Sequence, residues 1–303
     1  MSSTLLQLVQ QASAEMGLTV PTQVVGNTDT QVTQLYYLAN ALGNELRREY
    51  PWEALNKAYR FTTQYLSTTG DVTASSTTVT NIPTTAALST NFMVTGTGIN
   101  QDTYIASVDS ATQVTLSQAA STSGTGVTLN FGQTIYPLPS DFDRQIDRTH
   151  YDKSKRWEML GPETAQQWEF LKSSYISTGP RMRYRFIGGD FQIWPQVTTN
   201  EYLGYEYVSS YWAESSGGTA QGSFLADTDT CIFPDRLIVL GLKMKFFETK
   251  GLDTTAFTRD YTSQLQIAKS NDGGSQTLSM APKMSSVLIG FENIPDGSIY
   301  GQG

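Results

Sequence analysis

The sequence predicts an α+β protein: a mainly helical core with antiparallel strands, a small all-β module inserted into it, and an extended C-terminal arm. Three observations predict this. Apolar residues recur at three- and four-residue steps near the N-terminus and again after residue 234, which is the signature of amphipathic helices. Between residues 70 and 133 the composition turns to Thr, Ser and Gly, poor in Lys and Arg, and apolar residues fall two apart. After Asn271 the periodicity fades. The implied division is a core of residues 1–69 and 134–271, an inserted β module at 70–133, and an arm at 272–303.

The first helix is read from Leu5, Val9, Ala12 and Met16, with Gly17 placed to stop it in a left-handed cap. Thr28 and Gln31 have capping-box spacing, although Asp29 could cap instead. Leu35, Leu38, Leu42 and Leu46 then line one face of a second helix, whose last turn carries Arg47 and Arg48, where positive charge suits the helix dipole. Tyr50-Pro51-Trp52 ends it, and Trp52 and Leu55 are expected to pin the next turn onto the core. Tyr59, Phe61 and Tyr65 are strand-like. Within the β module, Val114/Leu116 and Val127/Leu129/Phe131 alternate between turns supplied by Gly96-Thr-Gly98, Asp109-Ser110 and Gly124-Thr-Gly126. Pro137 and Pro139 hold an extended entry into Ser140-Asp141, a turn or cap pair.

Pro162-Glu163-Thr164 reads as a helix start with Trp168 and Leu171 facing inward. Arg181 to Trp194 reads as a hairpin turned at Gly188-Gly189. Glu201 to Trp212 reads as a strand, and Ser215 to Gln221 as a Gly/Ser loop. Pro234 opens a helix with Leu237, Leu240, Met244 and Phe247 on one face, which Gly251 ends. Phe257, Tyr261, Leu265 and Ala268 mark the last helix. The segment beyond Asn271 is rich in Gly and Pro, yet Leu278, Met280, Val287, Leu288, Ile289, Phe291 and Ile294 make it too apolar for a solvated tail. These residues are candidates for docking on the chain's own body, a neighbouring copy or a different protein.

At 303 residues the chain can bury one large core or two modest ones. A net charge of −8 argues against tight, sequence-independent binding to phosphate backbones, but suits a conduit that DNA passes without sticking. Only 16% of residues are charged, and the many Tyr suit β structure and broad, moderately polar contacts. Cys231 is the only cysteine, so it forms no internal disulfide, and its expected role is a small buried apolar residue. No basic start precedes a long apolar run and no stretch reaches membrane-spanning length, so a soluble protein made in the cytoplasm is expected.

No catalytic set is found. Nucleophilic triads would need His150, the only histidine, and no Gly-x-Ser-x-Gly elbow accompanies it, so a surface or satisfied-core role is expected. Asp141, Asp143 and Asp147 cluster, as do Asp227 and Asp229, but neither group has calcium-loop spacing, and caps and turns account for them. No phosphate loop or cofactor motif is present. Glu163 and Glu169, placed within one predicted helix, do not form a glycosidase pair. The most unusual polar feature is Arg181, Arg183 and Arg185 at period two, with Met182, Tyr184 and Phe186 on the opposite face. Three readings stay open for that row: an exposed face with scattered ion pairs, salt bridges to another subunit, and DNA contact. Tyr50 and Trp52 join the arginines as subunit-interface candidates.

Leu46-Arg-Arg-Glu-Tyr-Pro-Trp-Glu-Ala-Leu55, Tyr136-Pro-Leu-Pro-Ser-Asp-Phe142, Gly161-Pro162 ahead of Trp168, Gly188-Gly189 through Pro195, and Phe233-Pro-Asp-Arg-Leu-Ile238 occur in that order. In them the chain resembles the head-to-tail adaptor family of short-tailed bacteriophages, over residues 1–69 and 134 to about 271; the stretch at 70–133 departs from the family's simplest form. The resemblance implies a non-enzymatic virion protein without cofactors, at the head–tail junction. It implies a homo-oligomeric ring, generally of twelve copies, beneath the portal protein, which extends the DNA channel and gives a tail tube, nozzle or tail fibre protein a platform. Two other functions stay open: a virion-associated cell-wall glycosidase, and a tail component whose β insert binds a receptor or glycan.

Overall fold

The computed structural model describes residues 3–173 and 181–273. Helices α1 (Leu5–Met16) and α2 (Thr30–Glu49) come first, then one 3-10 turn at Glu53–Leu55. Eleven strands follow: β1 (Asn56–Thr62), β2 (Tyr65–Val72), β3 (Thr78–Thr80), β4 (Phe92–Gly96), β5 (Thr103–Ser110), β6 (Gln113–Leu116), β7 (Gly124–Gln133), β8 (Ile135–Pro137), β9 (Phe142–Gln145), β10 (Tyr151–Asp152) and β11 (Trp157–Glu158). After α3 (Ala165–Ser173) come β12 (Arg183–Ile187), β13 (Asp190–Trp194), β14 (Tyr202–Ser209), β15 (Ala213–Glu214), β16 (Ala220–Gln221) and β17 (Thr230–Cys231). The last described elements are α4 (Asp235–Thr249) and α5 (Thr255–Asp272).

This architecture corrects the expectation of a mainly helical core. The described chain is mostly β, with a closed six-stranded barrel, three smaller sheets and five helices. Helices α1, α2, α4 and α5 were legible because each carries a run of apolar residues at helical spacing, while α3 is marked only by Trp168 and Leu171. Several of the strands span only two to four residues, too few for alternation to register, and their partners lie far away in sequence.

The helical layer forms from local signals. Thr4 caps α1 reciprocally with Gln7, and Gly17 closes it at φ 71°. Asp29, not Thr28, caps α2. Loop aspartates lock the layer together. The Asp227 carboxylate accepts from the backbone N–H of Val24 and Val25, and the backbone carbonyls of Asp227 and Asp229 accept from Leu6 and Leu5 at the start of α1. The buried Asp229 carboxylate also accepts from the N–H of Leu225 and Ala226. Helix α4 is buried from Leu237 through Leu242, more than one stripe, because α1, α2 and α5 all pack on it. Gly43 lets the Trp212 ring lie on α2, since a Cβ there would fall 2.3 Å from that ring. Cys231 is buried in this layer, and burial pushes its thiol up to about 12.

Residues 65–133 close into the barrel, in the order β2-β3-β6-β5-β4-β7. Val79, Val94, Ile105, Val114, Leu116, Leu129 and Phe131 fill its interior by strand alternation. Its first and last strands run antiparallel with Tyr65 opposite Gly132, so the chain enters and leaves at one point. A third core lies on the remaining sheets. The five-stranded sheet runs β1-β14-β10-β11, with β9 also on β14, and the hairpin sheet runs β12-β13-β8. Tyr136, Tyr184, Phe191, Tyr205 and Tyr207 dominate that core.

His150 lies at its centre, fully buried and stacked on Tyr184 at 4.0 Å and Tyr205 at 5.1 Å between ring centroids. Neither ring nitrogen has a hydrogen-bond partner among the described residues, so the histidine is a core residue left unsatisfied. Burial pushes its pKa from 6.5 down to about 4. The unfolded chain takes up this proton below about pH 6.5 and the folded chain only near 4, so the histidine costs up to about 3 kcal/mol of stability as pH falls through that window. His150→Phe is therefore expected to flatten the fall in urea midpoint between pH 6.5 and 4. Identical slopes for the two proteins would show that the imidazole titrates as if solvated.

Candidate functional site

The motifs that carry the family resemblance lie at the joints between the layers. At the end of α2, the Trp52 indole N–H donates to the Leu46 carbonyl at 2.6 Å and braces the last turn. The same ring meets Phe233 edge-on at 5.4 Å, next to the start of α4. Arg47, almost fully buried, pairs with Asp143 on β9 at 2.9 Å. Asp141, two residues earlier, accepts from the Tyr207 hydroxyl, the Ser209 hydroxyl and Lys57 Nζ, each at 2.7 Å. One short segment thus ties α2, β1 and β14 together. Burial, the largest influence, would raise the Asp141 carboxyl. The hydrogen bonds from Lys57, Ser209 and Tyr207 and the Lys57 charge outweigh it and hold the group below the usual carboxylate value. Its contribution to stability is therefore present above pH 3.8 and lost as pH falls through the lower folded value.

Arg183 and Arg185 lie on β12, and Arg181 precedes it. Gly188 and Gly189, with φ of 63° and 93°, form the two-residue turn to β13. Leu160 to Glu163 covers the outer edge of β12: the Leu160 N–H donates to the Met182 carbonyl, and the Glu163 N–H donates to the Tyr184 carbonyl. A Cβ on Gly161 would lie 2.5 Å from the Tyr184 carbonyl oxygen, so only glycine allows that approach. Glu163 precedes α3 rather than belonging to it, and its carboxylate pairs with Arg183 at 2.5 Å. Glu169 is exposed on α3, separate from that pair.

The three arginines therefore differ. Arg183 has a partner within the chain, whereas Arg181 and Arg185 have no ion pair among the described residues. Met182 and Tyr184 are buried on the opposite face. Of the two aromatic candidates, Trp52 is 3% exposed and packs inside the chain, while Tyr50 is half-buried beneath Lys269. Leu278, Met280, Val287, Leu288, Ile289, Phe291 and Ile294 lie outside the described residues.

Reading Asp141 and Asp143 as turn and cap residues missed their role as anchors. The available signal was that Arg47 and Asp143 lie in or beside two of the quoted motifs. Among the described residues no group of three or more His, Cys, Asp or Glu could hold a metal ion. No described helix is long and apolar enough to cross a membrane.

Asp141→Ala leaves three donors facing an empty acceptor. It is expected to lower stability by about 3 kcal/mol in urea denaturation at pH 7. A loss under about 0.5 kcal/mol would show that the joint does not depend on this carboxylate.

A protein-family model described as SU10 adaptor protein matches residues 100–282. The match begins just ahead of β5, inside the barrel, and takes in every later described element. No curated protein matches the chain.

Proposed function

The chain belongs to the SU10 adaptor protein family, a family of phage adaptor proteins, and from that premise we propose that it is a structural virion protein of the head–tail junction. In this reading copies of the chain form a ring, generally of twelve, beneath the portal protein. The ring extends the DNA channel and seats a tail tube, nozzle or tail fibre protein. Family membership is the observation that carries the reading.

Two features of the surface agree with it. The net charge of −8 lets DNA pass without adhering. Arg181 and Arg185, unpaired among the described residues, offer charge to an acidic face of a neighbouring copy, the heterologous contact that closes a ring. Residues 272–303 are the proposed docking arm, and residues 70–133 the proposed insert.

Electron microscopy of the purified chain mixed with portal protein tests the reading. A ring seated on the portal is expected. Failure of the two to co-assemble across salt and pH would overturn it.

Arg185→Glu tests the arginine row better than a change at Arg183, whose internal partner Glu163 would be left facing a second carboxylate. Arg185→Glu should leave monomer stability within about 0.5 kcal/mol while impairing ring formation. Normal ring formation by that variant would remove the row from the interface.

A further inference from the structure

Strand β1 is an outer strand of the five-stranded sheet. It pairs with β14 along one side and with no described strand along the other. Just past its end the Thr63 N–H donates to the Glu201 carbonyl, which sets the phase of the ladder. Hydrogen-bonded pairs alternate along an antiparallel ladder, so Lys57, Tyr59 and Phe61 bond to β14, whereas Ala58, Arg60 and Thr62 turn their N–H and C=O groups outward. The far side of β14 agrees: the carbonyls of Tyr202 and Glu206, opposite Thr62 and Ala58, accept from Lys153 and Ile146. None of the six outward groups has a hydrogen-bond partner among the described residues, and Ala58, Arg60 and Thr62 are all exposed.

An edge of seven residues is long enough to template another strand, and folded proteins cover, bend or charge such edges. Strand β1 has no proline, and its register runs without a bulge. Lys57 is engaged by Asp141, which leaves Arg60 as the strand's one charge without an ion pair among the described residues. On the opposite face Tyr59 and Phe61 are only half-buried against the aromatic core. The edge therefore lacks backbone partners on one side and a full apolar cover beside its rings.

The chain itself carries a matching segment. Helix α5 ends against the approach to β1: the Asp272 carboxylate accepts from the Glu53 N–H at 2.7 Å, three residues before the strand begins. The chain continues from there. Fourteen residues, 273–286, can span up to about 46 Å. That is about twice the length of β1, which at its seven residues runs about 24 Å. Next come Val287-Leu-Ile-Gly-Phe291 and Glu292, a run rich in strand formers. In an extended chain Val287, Ile289 and Phe291 share one face, and Leu288, Gly290 and Glu292 the other.

We propose that residues 287–291 of the same chain add to the open edge of β1 as a sixth strand of that sheet. Val287, Ile289 and Phe291 then cover Tyr59 and Phe61, and Glu292 falls on the face that carries Arg60. The tether at Asp272 favours the chain's own segment over a neighbour's, because it raises the local concentration of that segment at the edge. The inference rests on the proposed docking arm and names where it docks; it does not require the ring.

Amide-resolved hydrogen exchange on the full chain tests this, with Ile289→Pro as the variant, because proline cannot donate to a ladder. The Ala58, Arg60 and Thr62 amides are expected to exchange at least about tenfold more slowly in the native chain than in Ile289→Pro. Tyr59 and Phe61, which bond to β14, should exchange alike in both and report an intact sheet. The protection should also hold constant over about a hundredfold range of protein concentration. Equal rates at the three outward amides in the two proteins would overturn the proposal. Protection that grows with concentration would overturn it too, by assigning the added strand to a neighbouring copy. Mixing with portal protein separates this failure from that of the docking arm. Equal rates together with lost ring formation in Ile289→Pro would show that the arm docks elsewhere, whereas equal rates with normal rings would remove both the edge and the arm.

Discussion

The structure depends on the two carboxylates of Asp141 and Asp143. The helical layer and the aromatic sheets each have their own core, and Val208 of β14 reaches into the helical one. Charge adds a directional link between them. Arg47 at the end of α2 reaches Asp143, while Lys57, Tyr207 and Ser209 converge on Asp141. Charge-assisted hydrogen bonds of this kind are directional, so they set an orientation that apolar packing alone would leave loose. The prolines at 137 and 139 stiffen the approach to this segment, which keeps the ordering cost of the joint small.

Much of the fold was legible where a signal is local. The stripe Leu35–Leu46, the glycine stop at Gly17 and the Gly188-Gly189 turn are decided by residues within a few positions of one another, and the structure has each. The balance between helix and strand was not legible. Strand β8 is three residues long and pairs only with β13, some fifty residues later, so no short window of sequence contains the reason for it. The same limit hid the burial of His150 among rings contributed by β12, β13 and β14. The partner of Arg183 was hidden for a different reason. Glu163 was assigned to a helix that begins two residues later, and its backbone is instead held along the edge of β12.

The motifs that point to an adaptor turn out to be joints. Trp52 closes a helix end against Phe233, Gly161 admits a carbonyl, and Asp141 gathers three donors. These residues fix the relative placement of the layers. The barrel enters and leaves the chain at one point, so it can be elaborated without disturbing those joints.

The central claim, that carboxylate pairing fixes the helical layer to the sheets, is most directly tested by a double-mutant cycle on Arg47 and Asp143. The account predicts a favourable coupling of about 1–2 kcal/mol between Arg47→Ala and Asp143→Ala at pH 7, because the Arg47 guanidinium is largely removed from solvent. Losses that add to within about 0.3 kcal/mol would contradict it, and would place the orientation of the layers in apolar packing instead.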